Sequence, residues 1–153
     1  MSNKFSITVE GTAEINAALK RLGAEATAIA TDATMAGAEI VRAEAAKKAA
    51  QTSQRLANGM LKEADTTKSN EVTVKVGPDK ELFWGRYIEF GASPHHIAPD
   101  QAKALQIDLK QFTANVNHPG IDAKPFLRPT IDETADAVQA EIAKQLKKKL
   151  NLE

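Results

Sequence analysis

Residues 82–91 read LFWGRYIEFG, and two shorter motifs follow them, HPG at 118–120 and AKPFLRP at 123–129. These motifs and the chain between them hold most of the aromatic residues and five of the six prolines. This concentration predicts one organised structural unit. Within residues 84–90 the apolar spacing fits neither the period of a strand nor that of a helix, so a bulged strand and a short helix both remain open.

A strand is predicted immediately upstream, at residues 72–76. Its valines alternate with polar residues, and Gly77-Pro78 supplies turn chemistry at its end. A second strand beginning near Leu82 is expected to pair with it as a hairpin. The polar residues 51–70 are expected to form a mobile connector, with a short amphipathic piece at Leu56, Met60 and Leu61.

The N-terminal part of the chain predicts a strand followed by a long helix. Residues 5–9 alternate apolar and polar side chains, and a near-heptad stripe of small and apolar residues runs through residues 12–50. Gly23 and Gly37 are candidate positions for a bend or break. The stripe fades from Leu and Ile to Ala, so its second half is a docking face, either for an element of the same chain or for another subunit. Its members are Ile15, Leu19, Leu22, Ala26, Ile29, Ala33, Ala36, Ile40 and Ala43.

The C-terminal part predicts an extended loop and a capped helix. The prolines and short apolar pieces of residues 93–124 favour a long excursion that contains short strands. Thr130 and Glu133 fit a capping box, and Lys147, Lys148 and Lys149 lie where positive charge complements the helix dipole. The predicted apolar face of this helix is Ile131, Ala135, Val138, Ile142 and Leu146.

The composition limits the protein class. The 153 residues suit a single domain spanning 1–153, with 42% apolar and 26% charged residues. No apolar run approaches the roughly 18 residues that a membrane span requires, and the N-terminus has no apolar segment typical of a signal peptide. We therefore expect synthesis to end in the cytoplasm. The predicted fold class is α+β, a small, largely antiparallel sheet with a long N-terminal helix, a C-terminal helix and an extended loop.

The order of these features resembles the siphophage neck and tail-completion family of gene-product-ten-like tail components. The resemblance rests on the Val76-Gly77-Pro78 strand end, the EFG motif at 89–91, the PFLRP motif at 125–129 and the helices on either side. Where relatives commonly carry a PVDTGxL-like stretch after the long helix, only Gly59 and Leu61 keep the spacing here.

This resemblance implies a structural virion protein and not an enzyme. Its expected role is to join or complete the head-tail junction of a long-tailed phage or prophage, as a homo-oligomeric ring in the neck with a hexamer favoured. The implied partners are the head-connector protein and the tail-terminator or tail-tube proteins, with DNA contacted only by passage through the lumen and no membrane involved. Assembly is expected in the cytoplasm of the bacterial host, followed by residence in the virion.

Two interpretations of the aromatic motifs remain open. Within one chain, PFLRP anchors the loop before the last helix, because its prolines restrict the backbone while Phe126 and Leu127 insert. Alternatively, aromatic residues and arginine are typical of interface hot spots. The candidate assembly residues are Trp84, Tyr87, Phe90, Pro125, Phe126 and Arg128.

The sequence gives little support for catalysis or a cofactor. Without cysteine there are no thiolate nucleophiles and no Cys-ligated metal sites. His95, His96 and His118 lack the spacing of a zinc motif, so exposed loop histidines, a pH-sensitive contact and a metal site are the alternatives in that order. Glu89 has apolar or small neighbours but no second catalytic group, and a structural salt bridge to Arg86 or Arg128 is favoured. We predict no cofactor and no metal.

Net charge gives no general reason to expect nucleic-acid binding, because 20 basic and 20 acidic residues cancel. The main alternative function is that of a small nucleic-acid-binding protein. Its local binding site would be formed by Lys147, Lys148 and Lys149, although acidic residues on the same helix offset these charges.

Overall fold

The computed structural model describes residues 5–7, 24–65, 71–99, 105–108, 111–113 and 115–151. The chain divides into two compact units. We call Met1–Gly85 with Phe126–Glu153 the scaffold unit and Arg86–Pro125 the loop unit. The α+β class is confirmed, since the helices accompany small sheets in which every pairing is antiparallel.

Helix α1 (Ala24–Ala50) is rich in alanine, the residue with the highest helix propensity. It runs unbroken through Gly37, so the chain has no break at that position. Thr31 and Thr34 donate their hydroxyls to the carbonyls of Thr27 and Ala30 one turn earlier, at 2.7 and 2.8 Å, which satisfies these polar groups inside the helix. Residues 12–23 of the predicted helix, including Gly23, lie outside the described residues.

The scaffold unit contains a three-stranded sheet in the order β1-β3-β2. Its strands are β1 (Phe5–Ile7), β2 (Met60–Asp65) and β3 (Thr73–Pro78), paired in register at Phe5↔Val76 and Met60↔Pro78. The predicted strands at 5–9 and 72–76 are therefore confirmed over β1 and β3. Residues 8 and 9 lie outside the described residues.

Two expectations about the neighbours of β3 were wrong. The region predicted as a connector forms the short helix α2 (Gln54–Asn58) and strand β2, while residues 66–70 are not described. Strand β2 takes the place of the expected hairpin partner. Leu82 instead ends a 3-10 turn (Lys80–Leu82), whose start is capped by the Asp79 carboxylate accepting from the Glu81 N–H at 3.1 Å.

Helix α3 (Gly85–Phe90) resolves the ambiguity around Trp84–Phe90 in favour of a short helix. Glycines allow the preceding segments to pack closely in the scaffold unit. A Cβ at Gly59 would lie 2.1 Å from Leu82 Cδ1, and a Cβ at Gly85 would lie 2.8 Å from Leu56 Cδ1. The buried Leu56 and Leu82 therefore use space that any side chain at these glycines would occupy.

Helix α4 (Arg128–Lys149) begins earlier than the predicted capping box. Leu127 is the N-cap residue and makes no side-chain cap bond, and Thr130 already lies inside the helix. The Thr130 hydroxyl donates to the Phe126 carbonyl at 2.7 Å, while Glu133 pairs with Lys48. The capping-box prediction was wrong because Pro129 is well suited to a first helical turn, which moves the start of the helix upstream.

The buried face of α4 also differs from the predicted one at its start. Ala135 is exposed and Ile131 only half-buried, whereas the hydroxyl-satisfied Thr130 and Thr134 face inward. Further along, the predicted positions are correct. The buried residues are Thr130, Thr134, Val138, Ile142 and Leu146.

Helices α1 and α4 pack antiparallel. Lys149 pairs with Asp32 near the start of α1 at 2.5 Å, and Glu133 pairs with Lys48 near its end at 2.6 Å. Between these ion pairs, a Cβ at Gly37 would lie 2.7 Å from Ile142 Cγ1 and 3.1 Å from Val138 Cγ1. The glycine therefore sets how closely the two helices approach.

The main core lies between these helices and the sheet. The expectation that the small-residue face of α1 docks on the sheet and the C-terminal helix of the same chain is confirmed. Its phase is partly different: Ala26 and Ala33 are buried as predicted, but Ala36, Ile40 and Ala43 are only half-buried. Several elements cover α1, namely α2, α4 and strands β2 and β3, so its buried positions do not follow one straight stripe. The core cluster is Ala33, Ala38, Val41, Val74, Val76, Val138, Ile142 and Leu146.

The loop unit contains two short ribbons, as expected for residues 93–124. Strand β4 (His95–Ile97) pairs with β7 (Val116–His118), and β5 (Leu105–Asp108) pairs with β6 (Gln111–Thr113). Among the described residues, none of the helices combines the length and apolar character needed to span a bilayer.

Candidate assembly surface

The loop unit brings the EFG and HPG motifs together. Ala92 and Ile121 form an isolated antiparallel bridge, with N–H···O distances of 2.9 and 2.8 Å. Next to it, the Lys124 N–H donates to the Ile88 carbonyl at 2.7 Å. Two motifs that lie far apart in the chain therefore close the base of the excursion through backbone hydrogen bonds.

The glycines of both motifs are required by this closure. Gly91 has φ +74° and Gly120 has φ +89°, a backbone region that strongly favours glycine. A Cβ at Gly91 would lie 2.7 Å from the Ile121 carbonyl oxygen, and one at Gly120 would lie 2.4 Å from the Ala92 carbonyl oxygen. Because these obstacles are backbone atoms, a side-chain shift cannot relieve them.

The three histidines of the loop unit do not converge on one point where a metal ion could bind. His95 and His118 are cross-strand partners whose rings stack with centroids 5.0 Å apart, whereas His96 pairs with Asn117 at the next position of the ladder. The Nδ1 of His118 accepts from the Gly120 N–H at 3.1 Å, and that of His95 lies 2.9 Å from the Ser93 carbonyl. The described residues include no group of three or more His, Asp or Glu side chains placed to hold a metal ion.

Glu89 is a buried carboxyl group, only 1% exposed. Its neighbours in the sequence are the apolar or small residues Ile88, Phe90 and Gly91. Arg86, one of its two predicted partners, lies over the Tyr87 ring with its guanidinium 4.5 Å from the ring centroid and donates to the Tyr87 hydroxyl. The salt bridge of Glu89 remains a prediction.

The candidate assembly residues fall into two groups by exposure. Phe126 is 2% exposed and belongs to the core of the scaffold unit, where it fits the anchoring interpretation of PFLRP. Trp84 and Tyr87 are half-buried. The exposed candidates are Phe90, Pro125 and Arg128.

Exposed apolar residues outside the predicted set extend this picture. In the loop unit Ile121 is 46% exposed, close to the 49% of Phe90, and Ile97 is also exposed. In the scaffold unit Phe83 is 67% exposed and Leu61 is exposed as well. Nothing in the sequence beside HPG distinguished Ile121, because the exposure of a side chain depends on which elements pack over it.

The lysines of the alternative nucleic-acid site are divided. Lys149 pairs with Asp32 within the scaffold unit, while Lys147 and Lys148 are exposed. Two of the three lysines are therefore available to a partner, and DNA binding through them stays a prediction.

One known family resembles this chain. A family model described as "Bacteriophage HK97-gp10, putative tail-component" matches residues 13–91, slightly more than half of the 153 residues. The match ends with the glycine of the EFG motif. No curated protein and no solved structure matches the chain significantly.

Proposed function

The chain belongs to the HK97-gp10-like family of phage tail components, and from this membership we propose that it joins or completes the head-tail junction of a long-tailed phage or prophage. A tail component is a structural protein of the virion and binds other structural proteins of the phage. The finer proposal is a homo-oligomeric ring in the neck, a hexamer by preference, through whose lumen the DNA passes. Its action is association and not turnover.

The loop unit carries this proposal. It presents Phe90, Ile97 and Ile121 to solvent, yet its backbone is fixed by a bridge that only glycines permit. A contiguous patch of exposed apolar side chains marks a surface that is covered in an assembly, and the proposal takes these three side chains as parts of one such patch. A frame that is already ordered loses less conformational entropy on binding.

Ring closure requires a heterologous interface, in which one surface of a subunit meets a different surface of the next. We assign Phe90 as the apolar anchor of the first of these surfaces. Pro125 is the second exposed candidate of the loop unit and is assigned to the same surface. Trp84 and Tyr87 are half-buried supports, Phe126 holds the last helix from inside, and Arg128 is exposed where α4 begins.

The first test is the mass of the purified protein by light scattering, alone and mixed with the head-connector and tail-terminator proteins encoded beside its gene. We expect a ring-sized species in at least one mixture. If the protein formed no complex with either of the two proteins, the neck proposal would be overturned.

The second test is made in the phage. A lysate of a phage that lacks the gene should contain filled heads and separate tails. Wild-type protein supplied in trans should restore particles in which heads and tails are joined. Heads and tails that join normally without the protein would also overturn the proposal.

A further inference from the structure

The outer face of α4 has an unusual charge distribution. The helix buries Val138, Ile142 and Leu146 on one side, and at 100° per residue the opposite side is a single exposed strip. From the start of the helix to its end, this strip reads Asp132, Asp136, Gln139, Ala140, Ala143 and Lys147, with Glu133 and Lys144 beside it and Lys148 further round the helix.

This strip is acidic in its first half, small in the middle and basic in its last half. The helix dipole accounts for charges in the first and last turns only. Asp136 and Lys144 lie beyond those turns of the helix Arg128–Lys149, so the helix dipole does not account for the order of the charges along the strip.

The charges of the strip are not balanced within the described part of the chain. Asp132 and Asp136 are like charges at the i,i+4 spacing, as are Lys144 and Lys148, and such pairs destabilise a helix. Lys144 contacts Glu141 at 3.4 Å, but Asp132, Asp136, Lys147 and Lys148 have no ion-pair partner among the described residues. By contrast, Glu133 and Lys149 are used to hold α4 against α1.

We infer that this strip pairs with the same strip of a second copy of the chain, in antiparallel orientation. A twofold axis near Gln139 and Ala140 would place Asp132 opposite Lys147 of the other copy and Asp136 beside its Lys144. The two charged ends are about 22 Å apart along the helix, and the alanines between them allow the helices to approach closely. The same surface serves both copies, which makes the dimer isologous.

A second copy suits this face better than a nucleic acid does. Asp132 and Asp136 would lie against phosphates on the same strip that offers Lys147, and like charges would oppose binding. The face of one helix is smaller than a standard interface, so the dimer is weak and sensitive to salt. The inference does not depend on the neck function, because it concerns the free protein before assembly.

The test is sedimentation equilibrium of the full chain at low salt, with three variants. One is Asp132→Lys with Asp136→Lys, the second is Lys144→Glu with Lys147→Glu, and the third carries all four changes. Wild type should approach twice the chain mass as concentration rises and return to the monomer in high salt. Each two-site variant alone should raise the Kd at least about tenfold, since like charges then face each other.

The decisive result is recovery by complementary charges. An equimolar mixture of the two-site variants should form a heterodimer, and the four-site variant should form a homodimer again. A variant that simply fails to fold cannot produce this recovery. A control with Lys80→Glu and Glu81→Lys, two exposed charges of the 3-10 turn, should leave the wild-type Kd unchanged.

Three results would overturn the inference. They are a wild-type monomer at every concentration in low salt, a mixture of the two-site variants that stays monomeric, and a salt-sensitive species larger than twice the chain mass. None of these results bears on whether the protein joins heads to tails, which the phage experiment decides separately.

Discussion

The scaffold unit and the loop unit are held together in different ways. The scaffold unit buries a cluster of aliphatic side chains between α1, α4 and the sheet. The loop unit relies on short ladders, a backbone bridge and two glycines with positive φ, and it leaves Phe90, Ile97 and Ile121 exposed. The first unit is stabilised by removing apolar surface from water, and the second by backbone geometry that keeps apolar surface accessible.

This difference fits a division of labour in a structural component of a virion. A core that excludes water keeps α1 and α4 in place whether or not partners are bound. An excursion fixed by its backbone can present side chains to a partner without relying on them for its own stability. The two units should therefore respond differently to the same kind of substitution.

The largest difference is expected for matched isoleucines. Ile142→Ala removes a side chain that is 7% exposed in the core and should lower the free energy of unfolding by about 2–5 kcal/mol. Ile121→Ala removes a side chain that is 46% exposed and should change it by no more than about 0.5 kcal/mol. Urea unfolding of both variants measures this, and equal losses would remove the distinction between the units.

A Cβ added at one glycine in each unit should destabilise the two units in different ways. Gly37→Ala places a Cβ against Ile142 between α1 and α4, and overpacking of this kind costs about 1–3 kcal/mol of global stability. Gly120→Ala forces a side chain onto φ +89° against the Ala92 carbonyl, with a similar cost of about 1–3 kcal/mol confined to the loop unit.

Hydrogen exchange distinguishes the two glycine variants. In Gly120→Ala the amides of Ala92 and Ile121 should exchange faster, while amides of α4 keep their protection. Loss of protection throughout the chain in this variant would mean that the loop unit also stabilises the core.

Matched phenylalanines should separate assembly from folding. Phe90→Asp and Phe83→Asp both alter exposed side chains, so each should change stability by less than about 1 kcal/mol. When each variant is supplied in trans to the phage that lacks the gene, Phe83→Asp should restore the joining of heads to tails and Phe90→Asp should not. If Phe83→Asp were equally defective, any exposed phenylalanine would serve, and the assignment of Phe90 as the apolar anchor would be wrong.

The smallest effect concerns a half-buried ion cluster of the scaffold unit. Hydrogen bonds from Arg42 and Lys62 lower the pKa of Glu39 from 4.5 to about 2. A carboxyl group whose pKa is lowered by folding stabilises the folded state at pH values above its ordinary pKa. This contribution is lost as the pH falls from 4.5 towards 2. Because the side chain is 42% exposed, the contribution is about 0.2–1 kcal/mol.

Glu39→Gln tests this contribution. The variant should be less stable than wild type at pH 7, and urea unfolding curves of the two proteins should converge as the pH approaches 2. A difference that is the same at pH 7 and pH 2.5 would show that the carboxylate charge is not its source.

The sequence indicated the elements that depend on local pattern. The alternation of valines identified β3, the stripe of small and apolar residues identified α1, and the spacing of Val138, Ile142 and Leu146 identified the inner face of α4. It failed where a distant element decided the outcome. Strand β3 pairs with β2 and with the distant β1, and not with a strand at Leu82, because strand pairing depends on which segments share a core.

The candidate surface shows the same limit. Phe90 and Phe126 both lie in aromatic motifs beside glycine or proline, and nothing local to either motif distinguishes them. Only the tertiary structure buries Phe126 and leaves Phe90 exposed. The sequence by itself determined the α+β class and the family, because periodicity and the order of motifs can be read from short segments. The tertiary structure decided which apolar side chains are left for a partner, because burial depends on elements that are far apart in the chain.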